Sequence, residues 1–219
     1  MKTNALVQNI LAAFFVALPF GYLAYVWDSL PERVATHFGI DGKPDAFGAK
    51  SQLLLPICII LGTNLIVYFL LKNIDKIDPK QAAKLSKDVF DKIAFITLVF
   101  MSLIAVYITH SAVSQSIGNF MFIILGLLLA AIGNLMHSLK QNYFVGLKLP
   151  WTLNDEENWR KTHQLGSKIW FWGGLFIALT ALFLPFKMAS IITLITVFIM
   201  VLIPSIYSYQ LFKKNTINN

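Results

Sequence analysis

Six stretches of this chain run for about 18 to 25 residues with no Asp, Glu, Lys or Arg in their central part. They cover 5–27, 53–71, 93–113, 117–139, 169–186 and 188–212. A helix rises about 1.5 Å per residue, so each run matches a hydrocarbon layer about 30 Å thick. One charge at the centre of such a helix costs about 2.5–3.5 kcal/mol on insertion scales. Six runs free of that cost predict an all-α integral membrane protein, a bundle of six transmembrane helices. The last two runs are parted by little more than Pro185, Phe186 and Lys187, which predicts a tight helical hairpin.

Composition excludes the main alternative. Hydrophobic residues make up 57% and charged residues 13% of the 219 positions, against about 45–50% and about 25% in soluble domains. The net charge of +7 does not point to nucleic acid, because the basic residues sit in short loops between apolar runs. Placing the N-terminus inside puts fourteen of the eighteen Lys and Arg on the cytoplasmic side, leaving Arg33, Lys43, Lys50 and Lys187 outside. That asymmetry predicts N-in, C-in. Trp27, Trp170, Trp172, Tyr207 and Tyr209 lie near run ends, as interfacial aromatics do. The first run follows Lys2 without a small-x-small cleavage pattern and reads as a retained anchor. The single cysteine, Cys58, allows no internal disulfide.

Two loops are long enough to carry function. The outer loop, 28–52, alternates Val34, Thr36, Phe38 and Ile40 and then turns at Asp41-Gly42, just before Pro44. This predicts a small ordered extended-turn element. Arg33 and His37 are its best ligand-contacting candidates, unless they only hold the turn by hydrogen bonds. In the inner loop, 140–168, Thr152 or Asn154 can cap a helix starting near Asp155, and Asn154 with Glu157 fits a capping box. Trp159, Thr162, His163, Gly166, Trp170 and Gly173 then share a face that runs into the fifth span. Asn134, near the inner end of the fourth span, is expected to hydrogen-bond across helices. A third loop, 72–92, mixes Lys and Asp with Ala82, Ala83, Leu85, Val89 and Phe90, and reads as a solvated surface helix.

Catalytic and metal motifs are missing. The histidines His37, His110, His137 and His163 show no H-x-x-x-H or H-E-x-x-H spacing, and there is no C-x-x-C, G-x-S-x-G, P-loop or dinucleotide fingerprint. No cofactor, no metal and no enzyme activity are expected. The absence of a carboxylate or lysine inside the spans argues against an ion-coupled pump.

Both loops resemble a known family. Leu30-Pro31, His37-Phe38, Gly42-Lys43-Pro44-Asp45, Phe47-Gly48 and Lys50 resemble a small N-terminal membrane domain of unknown function. Gly133-Asn134, Asn142-x-Phe144-x-Gly146, Pro150-Trp151-Thr152-Leu153, Trp159 and Thr162-His163 resemble the signature of the SdpI family of bacterial toxin-immunity membrane proteins. Ala35, Phe47 and Leu147-Lys148 depart from the usual Pro, Trp and Ile-Arg; Lys148 keeps the charge without the planar fork of donors.

The resemblance implies a multi-pass protein of the bacterial plasma membrane that confers resistance to a secreted membrane-active peptide toxin. It also implies a cytoplasmic repressor as inner partner, besides membrane lipid, and no nucleic acid. The outer contacts would be Arg33, His37, Phe38, Gly42, Pro44 and Phe47. The inner contacts, binding or structural, would be Asn134, Asn142, Gly146, Pro150, Trp151, Thr152, Trp159, Thr162 and His163. The organisation would be a two-span domain over 1–75, a cytoplasmic linker helix over 76–92, and a four-span domain over 93–219. The competing readings are a small transporter or membrane enzyme with a cytoplasmic site around Asn134, Trp151, Trp159 and His163, and a structural module with no ligand.

Overall fold

The computed structural model describes residues 5–78 and 86–217. Five helices are long and apolar enough to cross a membrane. They are α1 (Ala5–Val26), α2 (Leu54–Lys72), α4 (Lys87–Ser114), α7 (Glu156–Phe183) and α8 (Phe186–Ile217). The remaining apolar run, 117–139, forms α5 (Phe120–Met136), of 17 residues, or about 25 Å. α4 before it ends at Gln115 in the left-handed conformation, with φ 53°. The next four residues then connect without helix. Two short helices, α3 (Ile74–Ile77) and α6 (Pro150–Asn154), complete the α-helices among the described residues.

α4 is the central element. It packs against α1 and α2 on one side and α5 on the other, while α5 pairs with α7 and α7 with α8. One buried cluster joins Tyr68, Leu71, Ile74, Phe90, Ile93, Leu98 and Met136. The other joins Leu23, Leu30, Val34, Leu53, Ile57 and Ala105. Leu194 and Phe198, by contrast, are exposed on α8, as a lipid-facing surface requires. Phe90 is fully buried within α4, so the apolar residues of 86–92 serve the bundle core and not a surface helix. Ala82, Ala83 and Leu85 lie outside the described residues.

The tightest packing is between α5 and α7. They run antiparallel: Asn119 Nδ2, at the start of α5, donates to the carbonyl oxygens of Ala181 and Leu184 at the end of α7. Gly126-x-x-x-Ala130 on α5 faces Gly174-x-x-x-Ala178 on α7. A Cβ on Gly126 would stand 2.6 Å from the Gly174 carbonyl oxygen, so backbone touches backbone, as small-x-x-x-small pairs permit. Gly173 and Gly166 instead admit Met200 of α8 and Met136 of α5.

The 28–52 loop is a β-hairpin, β1 (Arg33–Phe38) with β2 (Pro44–Ala49), antiparallel. Its turn holds Gly42 at φ 79°. The extended-turn element expected for this loop is therefore present as a hairpin. Register shifts beside His37 break the pairing, as a bulge that inserts an unpaired residue does. Val34 and Ala35, which precede the shifts, are both buried while Thr36 is exposed.

Candidate functional site

On the hairpin face, the structure assigns most of the named residues to the turn itself. His37 Nδ1 lies 2.6 Å from Asp45 Oδ1 across the strands, with both side chains more than half exposed. Arg33 is exposed, and its carbonyl oxygen accepts from Gln115 Nε2 at the end of α4. Lys50 pairs with Glu32 at 2.9 Å and lies over the Trp27 ring. The tip rests on the start of α8: Ser190 Oγ donates to the Ile40 carbonyl oxygen at 3.2 Å, and Gly42 leaves no room for a Cβ against the Phe186 ring. Phe47 is exposed, while Phe38 and Pro44 are half-buried. The hairpin thus bridges α4 and α8 and presents Arg33, His37 and Phe47 to solvent.

On the opposite face, the 140–168 loop folds around Asn142, which is fully buried. Its Oδ1 accepts from the amides of Phe144 and Val145, both at 2.8 Å. Its Nδ2 donates to the carbonyl oxygens of Lys140 and Val145. This Asx turn leads to Gly146, at φ 126°, which packs flat on Trp159 and His163. Those two rings stack with centroids 4.0 Å apart. His163 Nδ1 donates to the Trp159 carbonyl oxygen at 2.8 Å, and Nε2 accepts from the Leu147 amide at 3.0 Å. Since an amide only donates, the ring is neutral with its proton on Nδ1. Trp159 Nε1 donates to the Leu139 carbonyl oxygen. Pro150 opens α6, where its missing N–H costs nothing. Buried Thr152 accepts from the Leu149 amide and donates to the Leu147 carbonyl oxygen.

A second network ties this loop to α8. Trp151 Nε1 donates to Ser208 Oγ at 2.7 Å, and Ser208 Oγ donates to Asn158 Oδ1 at 2.9 Å. Asn158 Oδ1 also accepts from Thr162 Oγ1, and Asn158 Nδ2 donates to the Ser208 carbonyl oxygen. Asn158, Thr162 and Ser208 are buried, and Trp151 also stacks on Phe212. Asn158 and Ser208 escaped the sequence reading. Asn158 was within reach, since it lies one turn before Thr162 on the face already identified. Ser208 carried no local signal.

Two expectations need correction. The N-cap of α7 is Asp155, whose Oδ1 accepts from the amides of Glu157 and Asn158. Thr152 and Asn154 are spent in α6, which ends one residue earlier. Asn134 is exposed on α5 and bonds to no neighbouring helix among the described residues. The α5–α7 contact is made by glycines and alanines and excludes it.

The Trp159–His163 pair has no polar atom left for a solute. The adjoining cleft, lined by His137, Lys140, Glu156, Trp159 and Arg160, holds about 190 Å³, below the usual 300–1,000 Å³ of ligand pockets. Among the described residues no three His, Cys, Asp or Glu converge to hold a metal.

Residues 138–208 match the SdpI/YfhL protein family, and residues 14–61 match DUF1648, a domain of unknown function. The chain is 25% identical over 208 residues to Immunity protein SdpI of Bacillus subtilis (strain 168), covering 94% of this chain and 97% of that one. It is 45% identical over 40 residues to an uncharacterized protein of Archaeoglobus fulgidus, 18% of this chain and 22% of that one. No solved structure matches. The resemblance read from the two loops is therefore borne out. With its five long apolar helices, the chain is a multi-pass bacterial membrane protein.

Proposed function

We propose that this chain is a membrane immunity protein, giving its cell resistance to a secreted membrane-active peptide toxin. The observation that carries this reading is the likeness to an immunity protein along nearly its whole length, which takes in both loops. In this reading the chain crosses the plasma membrane six times, N-in and C-in. Support for α5 as the sixth span comes from its antiparallel pairing with α7, from Asn119 beside Ala181 to Gly133 beside Trp170. The organisation is a two-span domain over 1–75, a linker over 76–92 and a four-span domain over 93–219.

The exposed hairpin residues Arg33, His37 and Phe47, backed by Phe38, Gly42 and Pro44, form the toxin-facing surface. The inner loop is a rigid platform for a cytoplasmic repressor. Asn142, Gly146, Thr152, Trp159, Thr162 and His163 build that platform from within, while Pro150 and the edge of Trp151 lie at its surface. Asn134 flanks it. The reading of a transporter or enzyme loses its basis, because the rings at its centre are committed to backbone partners.

Expression in a toxin-sensitive bacterium tests the proposal. Survival under secreted toxin rises with the wild-type chain. It falls again with Arg33→Ala plus His37→Ala, at unchanged membrane abundance. Unchanged sensitivity with the wild-type chain present in the membrane refutes the immunity role.

A further inference from the structure

Beneath the hairpin lies a groove of about 500 Å³ bounded by β1, α2, α4 and α5, within the size range of sites that bury a small ligand. Ala35 and Phe38 roof it, and Ile108 and Met121 wall it. The register shifts of β1 fall between Ala35 and Phe38, the two residues of this roof. Ser111 also lines the groove. It is 2% exposed, yet its Oγ finds no hydrogen-bond partner among the described residues. The hydroxyls of Ser102, Thr109 and Ser114 on the same helix all return to carbonyl oxygens three or four residues back. A buried hydroxyl left unpaired costs about 1–3 kcal/mol, so the site suits an occupant that brings a hydrogen-bond acceptor.

Depth and continuity identify that occupant. Ser111 stands three residues before the end of α4, about one helical turn inside the bundle end. Phospholipid ester carbonyls lie at this level, between headgroups and hydrocarbon. The groove opens past Leu55, 66% exposed on the lipid-facing side of α2, and the amide-bearing Gln52 stands at its rim. We propose that this groove holds one phospholipid of the hairpin-side leaflet, with an acyl chain against Ile108 and Met121 and an ester carbonyl accepting from Ser111 Oγ. The assignment is independent of the immunity role.

Native mass spectrometry of the full chain released from phosphatidylglycerol nanodiscs tests it. One phospholipid stays with each chain. Ser111→Ala weakens its retention by about tenfold, the worth of one buried hydrogen bond, and Ile108→Trp, which fills the groove, removes it. Because the tryptophan variant can disturb the bundle, a second measurement uses the wild-type chain. Phosphatidylglycerol with a diazirine near its ester end labels Ile108 and Met121 above Leu194 and Phe198, which face bulk lipid on α8. Three outcomes overturn the assignment: no retained lipid, retention indifferent to Ser111→Ala, or labelling no higher in the groove than on α8.

Discussion

Gly146 is the point where the 140–168 loop touches the helix it decorates. A Cβ there collides with His163 Nε2, and φ 126° is a conformation that side chains rarely adopt. Gly146→Ala therefore lowers stability by about 1–3 kcal/mol, read as a drop in melting temperature of the detergent-solubilised protein. Asn158→Ala removes the acceptor shared by Thr162 and Ser208 and the donor to the Ser208 carbonyl. Leaving buried groups unpaired costs about 1–3 kcal/mol each, so this loss exceeds that of Asp155→Ala, a cap worth about 1 kcal/mol. The same melting measurement orders the two. His37→Ala breaks only an exposed pair, worth at most about 1 kcal/mol, and leaves the melting temperature nearly unchanged. A toxin-resistance defect without a melting defect at this position separates binding from folding.

At the scale of elements, α5 and α7 depend on their glycines. Gly174→Val drives a side chain into the α5 backbone at Ala130, where no rotamer change relieves the clash. The expected result is loss of folded protein from membranes, whereas Gly62→Val, where a Cβ meets nothing within 4 Å, is tolerated; quantitative immunoblotting of membrane fractions compares the two. The five long apolar helices were legible because a charge-free run is a local property, and so was the Asp41-Gly42 turn. The hairpin bulge was not. Alternation at Val34, Thr36 and Phe38 assumes unbroken pairing, and the register shifts beside His37 leave no mark in that pattern. The α7 cap was misplaced by a single residue for a related reason: Thr152, Asn154 and Asp155 all cap well, and only the separate helix α6 decides among them. Ser208 could not be found from local pattern, since its partners lie 50 and 57 residues away.

For the whole molecule the central prediction is orientation. In a Cys58→Ser background, Asp41→Cys reacts with a membrane-impermeant maleimide in intact cells, while Lys148→Cys reacts only after permeabilisation. The reverse pattern inverts the topology and with it the division into toxin-facing and repressor-facing surfaces. The hairpin tip and the inner network also share a part. Ser190 and Ser208 belong to one continuous helix, α8, 18 residues apart, or about 27 Å along its axis. One end of that helix is gripped by Ile40 and Gly42, the other by Trp151 and Asn158. α8 is thus a tie between the hairpin and the 140–168 loop: whatever shifts the packing at Ser190 acts on the same helix that Trp151 and Asn158 hold at Ser208.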